Sequence, residues 1–409
     1  MMAQLTGGHD VVLLEQGAAF FPALIGAIDA SRREVRLETY TFHFDASGEQ
    51  VAHALVRAAQ RGVAVYVVMD DIGTPDIPRE WVLRFRAAGV QWFVYSPLGY
   101  LGVLIPVRWR RLHRKLCVVD GTLGFCGGIN IQDDLVDLNH GAQESPRFDF
   151  AVQIAGPLVA DMQATLTQLW ARLQAKHRLQ RLQLQVAGEA LRDSLRSVPA
   201  PPSLQCAQVA LEQGASKSGA MAALVLRDNV HNRTRIERTY RKAIADARHE
   251  VLIANAYFLP GRKLRRALIL AARRGVRVRL LLQGRYEYFM QFHASRPVYG
   301  SLLASGVEIY EYGHGFLHAK VAVIDAEWAT VGSSNLEPLS LLLAREANIV
   351  LEDASFAQTL RVRVQAAIDS HGVLLNREAY VNRPLRQRLL DQLAYGLMRL
   401  GLLLIGRRY

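Results

Sequence analysis

The chain has 409 residues, half of them hydrophobic, enough for two domains or one large duplicated domain with a sizeable core. Its net charge of +12 points to an anionic partner, either nucleic acid or an anionic membrane surface. Three cysteines exclude a disulfide framework, no Cys/His spacing suggests zinc, and the N-terminus lacks the basic-then-apolar pattern of a secretory signal, so a cytosolic side is expected.

In chain order, residues 1–15 read as a lead-in strand, apolar from Val11 to Leu14. Phe20, Phe21, Leu24, Ile25 and Ile28 recur at helical spacing and predict a helix over 18–31. A strand over 34–42, a helix over 48–60 ended by Arg61-Gly62, and a continuous apolar strand over 63–69 follow. A helix over 78–88 and a strand over 90–95 complete the series. A long helix pattern over 158–185 is apolar at Leu158, Met162, Leu166, Leu169 and Leu173, and a Pro-rich stretch over 197–203 reads as linker. An amphipathic helix over 228–247 opens the second half.

The order then recurs. Residues 271–280 match 58–67 around a shared Arg-Gly-Val, 305–310 match 88–93, and 248–257 match the strand near 33–40. Alternating strands and helices imply helices packed on a largely parallel sheet. The boundaries expected are a first unit over 1–185, a linker over 186–222, a second unit over 223–380 and a leucine-rich amphipathic helix over 381–409.

The most informative repeat is shorter. His113, Lys115 and Asp120 return as His318, Lys320 and Asp325, and Asn130 returns as Asn335, each 205 positions later. The apolar residues between Lys and Asp predict a buried strand in both copies, with Cys117 and Cys126 as small buried hydrophobes. Residues two apart on a strand share a face, so each His stands beside its Lys. An imidazole next to a fixed ammonium suits an oxygen-rich anion such as phosphate. Two copies supply one histidine to attack phosphorus and another to protonate the leaving oxygen. A single copy would read as a core histidine and a snorkelling lysine; two copies with matching Gly-Gly-Ile-Asn and Gly-Ser-Ser-Asn turns favour chemistry.

The doubled His-x-Lys-x4-Asp pattern resembles the phospholipase D superfamily. The stretches Leu37-Glu-Thr-Tyr-Thr-Phe42, Ala254-Asn-Ala-Tyr-Phe-Leu-Pro260 and the run from Trp328 to Ser340 extend the likeness to bacterial cardiolipin synthases of the B type. The resemblance implies a duplicated α/β fold: two mixed β-sheets flanked by helices and related by pseudo-twofold symmetry. It implies catalytic roles for His113, Lys115, Asp120, His318, Lys320 and Asp325, and phosphate binding by Asn130 and Asn335. It also points to Asp149 and Glu346 as acids that orient the imidazoles. Asp120 and Asp325, at strand ends, read first as structural supports. Glu38, Tyr40 and Tyr257 are weaker headgroup candidates. No metal or cofactor is expected.

The implied reaction is phosphatidyl transfer from phosphatidylglycerol, through a phosphatidyl-histidine, at the cytoplasmic side of the cell membrane. A phospholipase or nuclease with the same apparatus, and a non-catalytic membrane-binding protein, are the competing readings. An apolar, Pro/Gly-broken segment over 95–109 next to Arg108, Arg110, Arg111 and Arg114 suits acyl chains entering near anionic headgroups. The leucine-rich tail over 385–405 is interrupted by charges and does not read as a spanning helix. It suits either the membrane interface or docking on the second unit.

Overall fold

The strand Ala64–Asp70, central among the parallel strands of the first half, is a nearly continuous apolar run because side chains on both of its faces are covered. In the first half Glu34–Thr39, Ala64–Asp70 and Gln91–Tyr95 lie parallel. The sheet then turns antiparallel through Leu116–Val119, Leu123–Gly127, Phe150–Ala155 and Thr6–Glu15. The second half repeats this order. Glu250–Asn255, Arg277–Gln283 and Glu308–Tyr312 are parallel, and Lys320–Ile324, Trp328–Gly332, Ala344–Glu352 and Ala220–Arg227 are antiparallel. This computed structural model describes residues 4–74, 76–97, 109–137, 140–180, 219–228, 232–286, 289–337 and 344–404. The expected segment over 95–109 and the linker therefore lie largely outside the described residues.

The mixed sheets that the resemblance implies are present, and the sheet is less parallel than the alternation of strands and helices alone suggests: each half has three parallel strands, because the motif strand returns antiparallel to the first strand of its unit. The two mixed sheets are also joined edge to edge, Thr6 opposite Ala222 and His9 opposite Ala220 across a register shift, into one sheet that has 16 strands among the described residues. Ala220 to Ala222 thus belong to a strand and not to the linker. The helix opening the second half is shorter than expected, Arg235–Asp246.

Helices cover both faces. Gln16–Ala30, Ala46–Gln60 and Arg79–Ala88 close one core over the first half. Arg235–Asp246, Arg262–Arg273 and Phe289–Leu303 close its counterpart over the second. On the other face Leu158–Gln180 and Ala354–His371 share a single core that includes Phe150 and Val152 of one half and Ala347, Ile349 and Leu351 of the other. That shared core fixes the halves against each other. The duplication reaches side chains: after the second helix of each unit, Gly62 and Gly275 sit at φ +89° and +90°, where glycine carries no Cβ penalty. Beside them Arg61 and Arg274 donate to the carbonyls of Ile28 and Ile244 at 3.0 and 3.1 Å.

The helix Leu385–Leu404 docks on Phe289–Leu303, burying Ala394 and Met398 in the second-half core. No described helix is long and apolar enough to cross a membrane.

The motif aspartates end their strands at φ +53°. Asp120 accepts from the backbone N–H groups of Arg32, Arg33 and Glu34, and Asp325 from those of Arg248, His249 and Glu250, at 2.8–2.9 Å. Burial raises both carboxyls, but these donors outweigh it and hold them below the usual aspartate range. Asp120→Asn and Asp325→Asn should each destabilise the fold by about 1 kcal/mol near neutral pH. A depressed carboxyl contributes above its unfolded value near 3.8 and loses that contribution as pH falls through its folded one. Denaturant titrations should therefore show the gap between wild type and variant closing in acid, and a gap that is constant with pH would refute this account.

Candidate active site

The sequence reading places each histidine on its motif strand, yet the strands begin at Leu116 and Lys320, and both histidines come before them. The cause is pairing across the halves. Arg111–Leu112 makes a short parallel ladder with Ala344 and Arg345 of the second half, and Leu317 bridges Phe148 of the first. The backbone N–H of His113 donates to the Arg345 carbonyl at 3.0 Å, and that of His318 to the Phe148 carbonyl at 2.9 Å. Each histidine is thus pinned beside the residue that precedes the other half's acid.

The acids complete the crossing. His113 Nδ1 lies 3.0 Å from Glu346 Oε1 and 3.1 Å from Oε2, and His318 Nδ1 lies 2.6 Å from Asp149 Oδ2. An Nδ1–H engaged with a carboxylate leaves the lone pair on Nε2, the nitrogen available to attack or to carry a proton. The acids are held in turn. The Phe150 N–H donates to Asp149 at 2.8 Å, and Ser333 Oγ donates to Glu346 at 2.5 Å. Ser333 was visible only as one letter of the Gly-Ser-Ser-Asn turn. Both acids are buried, while the imidazoles keep 15% and 19% of their surface exposed, enough for a ligand to reach them.

Lys115 and Lys320 are buried alongside. Lys115 Nζ donates to the His113 carbonyl at 3.0 Å and stands 5.3 Å from the centre of the Tyr40 ring, and Lys320 Nζ donates to the His318 carbonyl. The Tyr40 ring also stands 4.8 Å from the His113 imidazole, so this side chain adjoins the site. Asn130 is buried, and its Oδ1 accepts from the Thr41 N–H at 3.3 Å, which orients the amide and leaves its NH2 as donor. Asn335 is buried too, its Oδ1 without a hydrogen-bond partner among the described residues. Asp120 and Asp325 are not brought in: each lies at the far end of its motif strand, roughly five residues or ~16 Å beyond the lysine. Glu38 is engaged elsewhere, paired at 2.8 Å with buried Arg114, the residue between His113 and Lys115.

Burial governs the protonation states. It pulls His113 below its ordinary value against the raising effect of Glu346, and the lysines lower it further. His318 is depressed more strongly, by burial and then by Lys320, Lys115, Arg147 and His113. Burial brings Lys115 down to about 7, with Lys320 adding to the fall, and lifts Asp149 to about 6 against the pull of Lys320. The mutual effects of His113, Lys115, His318 and Lys320 mark one electrostatic unit built from both halves. Two imidazoles biased to the neutral form beside two partly desolvated ammonium groups suit a nucleophile and a proton carrier acting on an anion.

A family model described as "Cardiolipin synthase, PLD-like domain" matches residues 24–143 and 240–367. Cardiolipin synthase B of Escherichia coli strain K12 is 37% identical over 362 residues, spanning 88% of this chain and 81% of that protein. Cardiolipin synthase A of Pseudomonas entomophila is 32% identical over 364 residues, covering 88% and 69%. In fold, the chain superposes on the crystal structure of the Haemophilus influenzae phosphatidylserine synthase with a TM-score of 0.66 at 15% identity, covering 98% of this chain and 95% of that one.

The Lys115 charge gives a test that needs no turnover. Sulfate keeps its charge across neutral pH, so its binding reports the protein's protonation alone. Raising pH through about 7 removes the Lys115 proton and should weaken sulfate binding measured by calorimetry, with a smaller dependence in Lys115→Met. Equal sulfate affinity from about pH 6 to about pH 8.5 would show that Lys115 does not titrate there.

Proposed function

We infer the reaction from the premise that the chain belongs to the cardiolipin synthase, phospholipase D-like family. It is a phosphatidyltransferase of the cardiolipin synthase type, moving a phosphatidyl group between phospholipids. The reading proposed for its site rests on one observation, the pair of histidines each engaged by a carboxylate from the opposite half.

In this reading the Nε2 of one histidine attacks the phosphorus of phosphatidylglycerol. The P–N bond forms as the P–O bond to glycerol breaks, and the other histidine, which must enter the cycle as an imidazolium protonated on Nε2 as well as Nδ1, gives its Nε2 proton to the departing oxygen. That second histidine, now neutral, takes a proton from a hydroxyl of another phosphatidylglycerol. The freed oxygen attacks phosphorus, the P–N bond breaks, and cardiolipin leaves with both imidazoles restored. Glu346 and Asp149 hold the tautomers and steady the imidazolium of each step. Lys115 and Lys320, with the amides of Asn130 and Asn335, meet the phosphoryl oxygens as charge builds in the pentacoordinate state. Asp120 and Asp325 support the two motif turns and take no part in the chemistry. The organisation proposed is two phospholipase D-like units, the first over 1–185 and the second running from the strand Ala220–Arg227 to residue 380, joined by a linker and followed by the C-terminal helix. The substrates and the +12 charge favour peripheral binding to an anionic membrane surface on the cytoplasmic side.

His113→Ala and His318→Ala should each lower phosphatidyl transfer by at least ~10³-fold, because nucleophile and acid act as a unit. With a phosphatidyl donor bearing a nitrophenol leaving group, which needs no acid, only one of the two should still form the covalent lipid adduct seen by mass spectrometry. Near-normal transfer by either variant would end the two-histidine mechanism, and phosphatidic acid as the main product in a lipid acceptor's presence would make the enzyme a hydrolase.

A further inference from the structure

The helix Leu385–Leu404 has two unlike faces. At about 100° per residue, Asp391, Ala394 and Met398 fall on one side and are buried against Phe289–Leu303. Leu385, Leu389, Leu393, Leu397 and Leu400 fall on the opposite side, each more than half exposed. Exposed leucines scattered singly need no explanation, but an unbroken row does.

The charges indicate what covers it. Arg386, Arg388 and Arg399 are exposed on the same helix. Its one acid over 385–400, Asp391, is buried and engaged with His293 at 2.7 Å and Arg383 at 3.0 Å. The outward side therefore combines leucine and arginine with no carboxylate. A second copy of the chain would bring no acid on the matching face to meet the arginines, whereas an anionic bilayer supplies both hydrocarbon and phosphate.

The position of the row ties it to the site. Tyr380 donates to the Arg296 carbonyl and Asp391 reaches His293, so the helix runs antiparallel to Phe289–Leu303. Leu397 and Leu400 consequently reach the Phe289 end. There the exposed rings of Phe289 and Tyr286 stand 4.7 and 6.2 Å from the same His293 ring. Tyr286 is three residues past Gln283, whose side-chain oxygen accepts from the N–H of Leu317, the residue before His318, at 3.4 Å.

We propose that this leucine and arginine face is the surface by which the enzyme docks on an anionic bilayer, its leucines in the interface and its arginines among the lipid phosphates, with the Tyr286 end holding the active site toward the lipid. The proposal rests on the lipid-transfer reading above and names the surface that serves it.

Sedimentation of the full chain with vesicles of phosphatidylglycerol and phosphatidylcholine tests it. The triple variant Leu389→Gln, Leu393→Gln, Leu397→Gln should bind at least ~10-fold more weakly. Leu83→Gln, an equally exposed leucine on Arg79–Ala88, should bind like wild type. The triple variant should keep transfer with a short-chain, monomeric phosphatidylglycerol and lose it with vesicles. Undiminished vesicle binding overturns the proposal, as does a shift from dimer to monomer in the variant with vesicle binding intact, which would assign the face to a second copy. Absent transfer by wild type on monomeric substrate, with vesicle binding still dependent on the leucines, sinks the lipid-transfer reading and leaves the docking surface standing. As an independent check on folded protein, Leu393→Trp should gain fluorescence that brominated phosphatidylglycerol vesicles quench, and no quenching beyond that of the native tryptophans counts against it.

Discussion

Everything at the centre of this molecule depends on a reciprocal exchange between its halves. Each histidine is carried on one half's chain, but its Nδ1 partner and the carbonyl that receives its backbone N–H come from the other. Neither half alone can hold an imidazole in the reactive tautomer. The exchange requires the strands Phe150–Ala155 and Ala344–Glu352 to start beside the opposite motif, and the shared core beneath them sets that registry. The buried apolar surface of that core thus does more than stabilise: it fixes to within a hydrogen bond's tolerance where two carboxylates sit.

The exchange is symmetric, and its surroundings are not. Behind His113 the fold buries Glu38 against Arg114 at 2.8 Å, Asp70 against Arg111 at 3.2 Å, and sets Arg345 Nε donating to the Tyr95 hydroxyl at 3.1 Å. By the strand registers, the counterparts near His318 are Ala254 and Ala319, Gln283, and Phe148 stacked on Tyr312 at 5.5 Å. Charged groups in one half correspond to uncharged ones in the other. Burying such ions costs desolvation that mutual attraction only partly offsets, as the raised Glu38 and lowered Arg114 record, both chiefly through burial. Two histidines with matched hydrogen bonds therefore sit in unmatched fields. That is a physical basis for different roles in one reaction cycle.

Much of this was legible in the sequence. The 205-residue spacing named both histidines, both lysines and both asparagines, and the apolar runs located the parallel strands and both motif strands, but not Ala220–Arg227 or Trp328–Gly332. The acids Asp149 and Glu346 were legible only through family resemblance. Nothing in a strand-edge Asp or Glu says that it will meet a histidine some 170 or 230 residues away. Periodicity missed that the histidines leave their strands, because cross-half backbone pairing is a tertiary fact with no local signature. It also could not tell that Glu38 would be taken up by Arg114, because alternation gives the face of a strand but not the partner met there. The Leu385–Leu404 pattern left two fates open, and the structure shows one face docked.

The lysines show why this architecture tolerates what a core ordinarily excludes. Lys115 is buried and donates to a neutral carbonyl and faces an aromatic ring, and the nearest acids are already committed to histidines. A buried ammonium so placed is poorly compensated, which is why it sits near 7 rather than at its ordinary value. The same deficit makes it receptive. A phosphodiester anion entering the site supplies the missing countercharge, draws the proton back onto the lysine, and strengthens as negative charge grows on the phosphoryl oxygens. Stability withheld in the empty site becomes attraction for the ligand, greatest where the charge is greatest. The crossed carboxylates are what allow this: by binding the histidines they remain close enough to keep the lysines from being expelled, and too engaged to neutralise them.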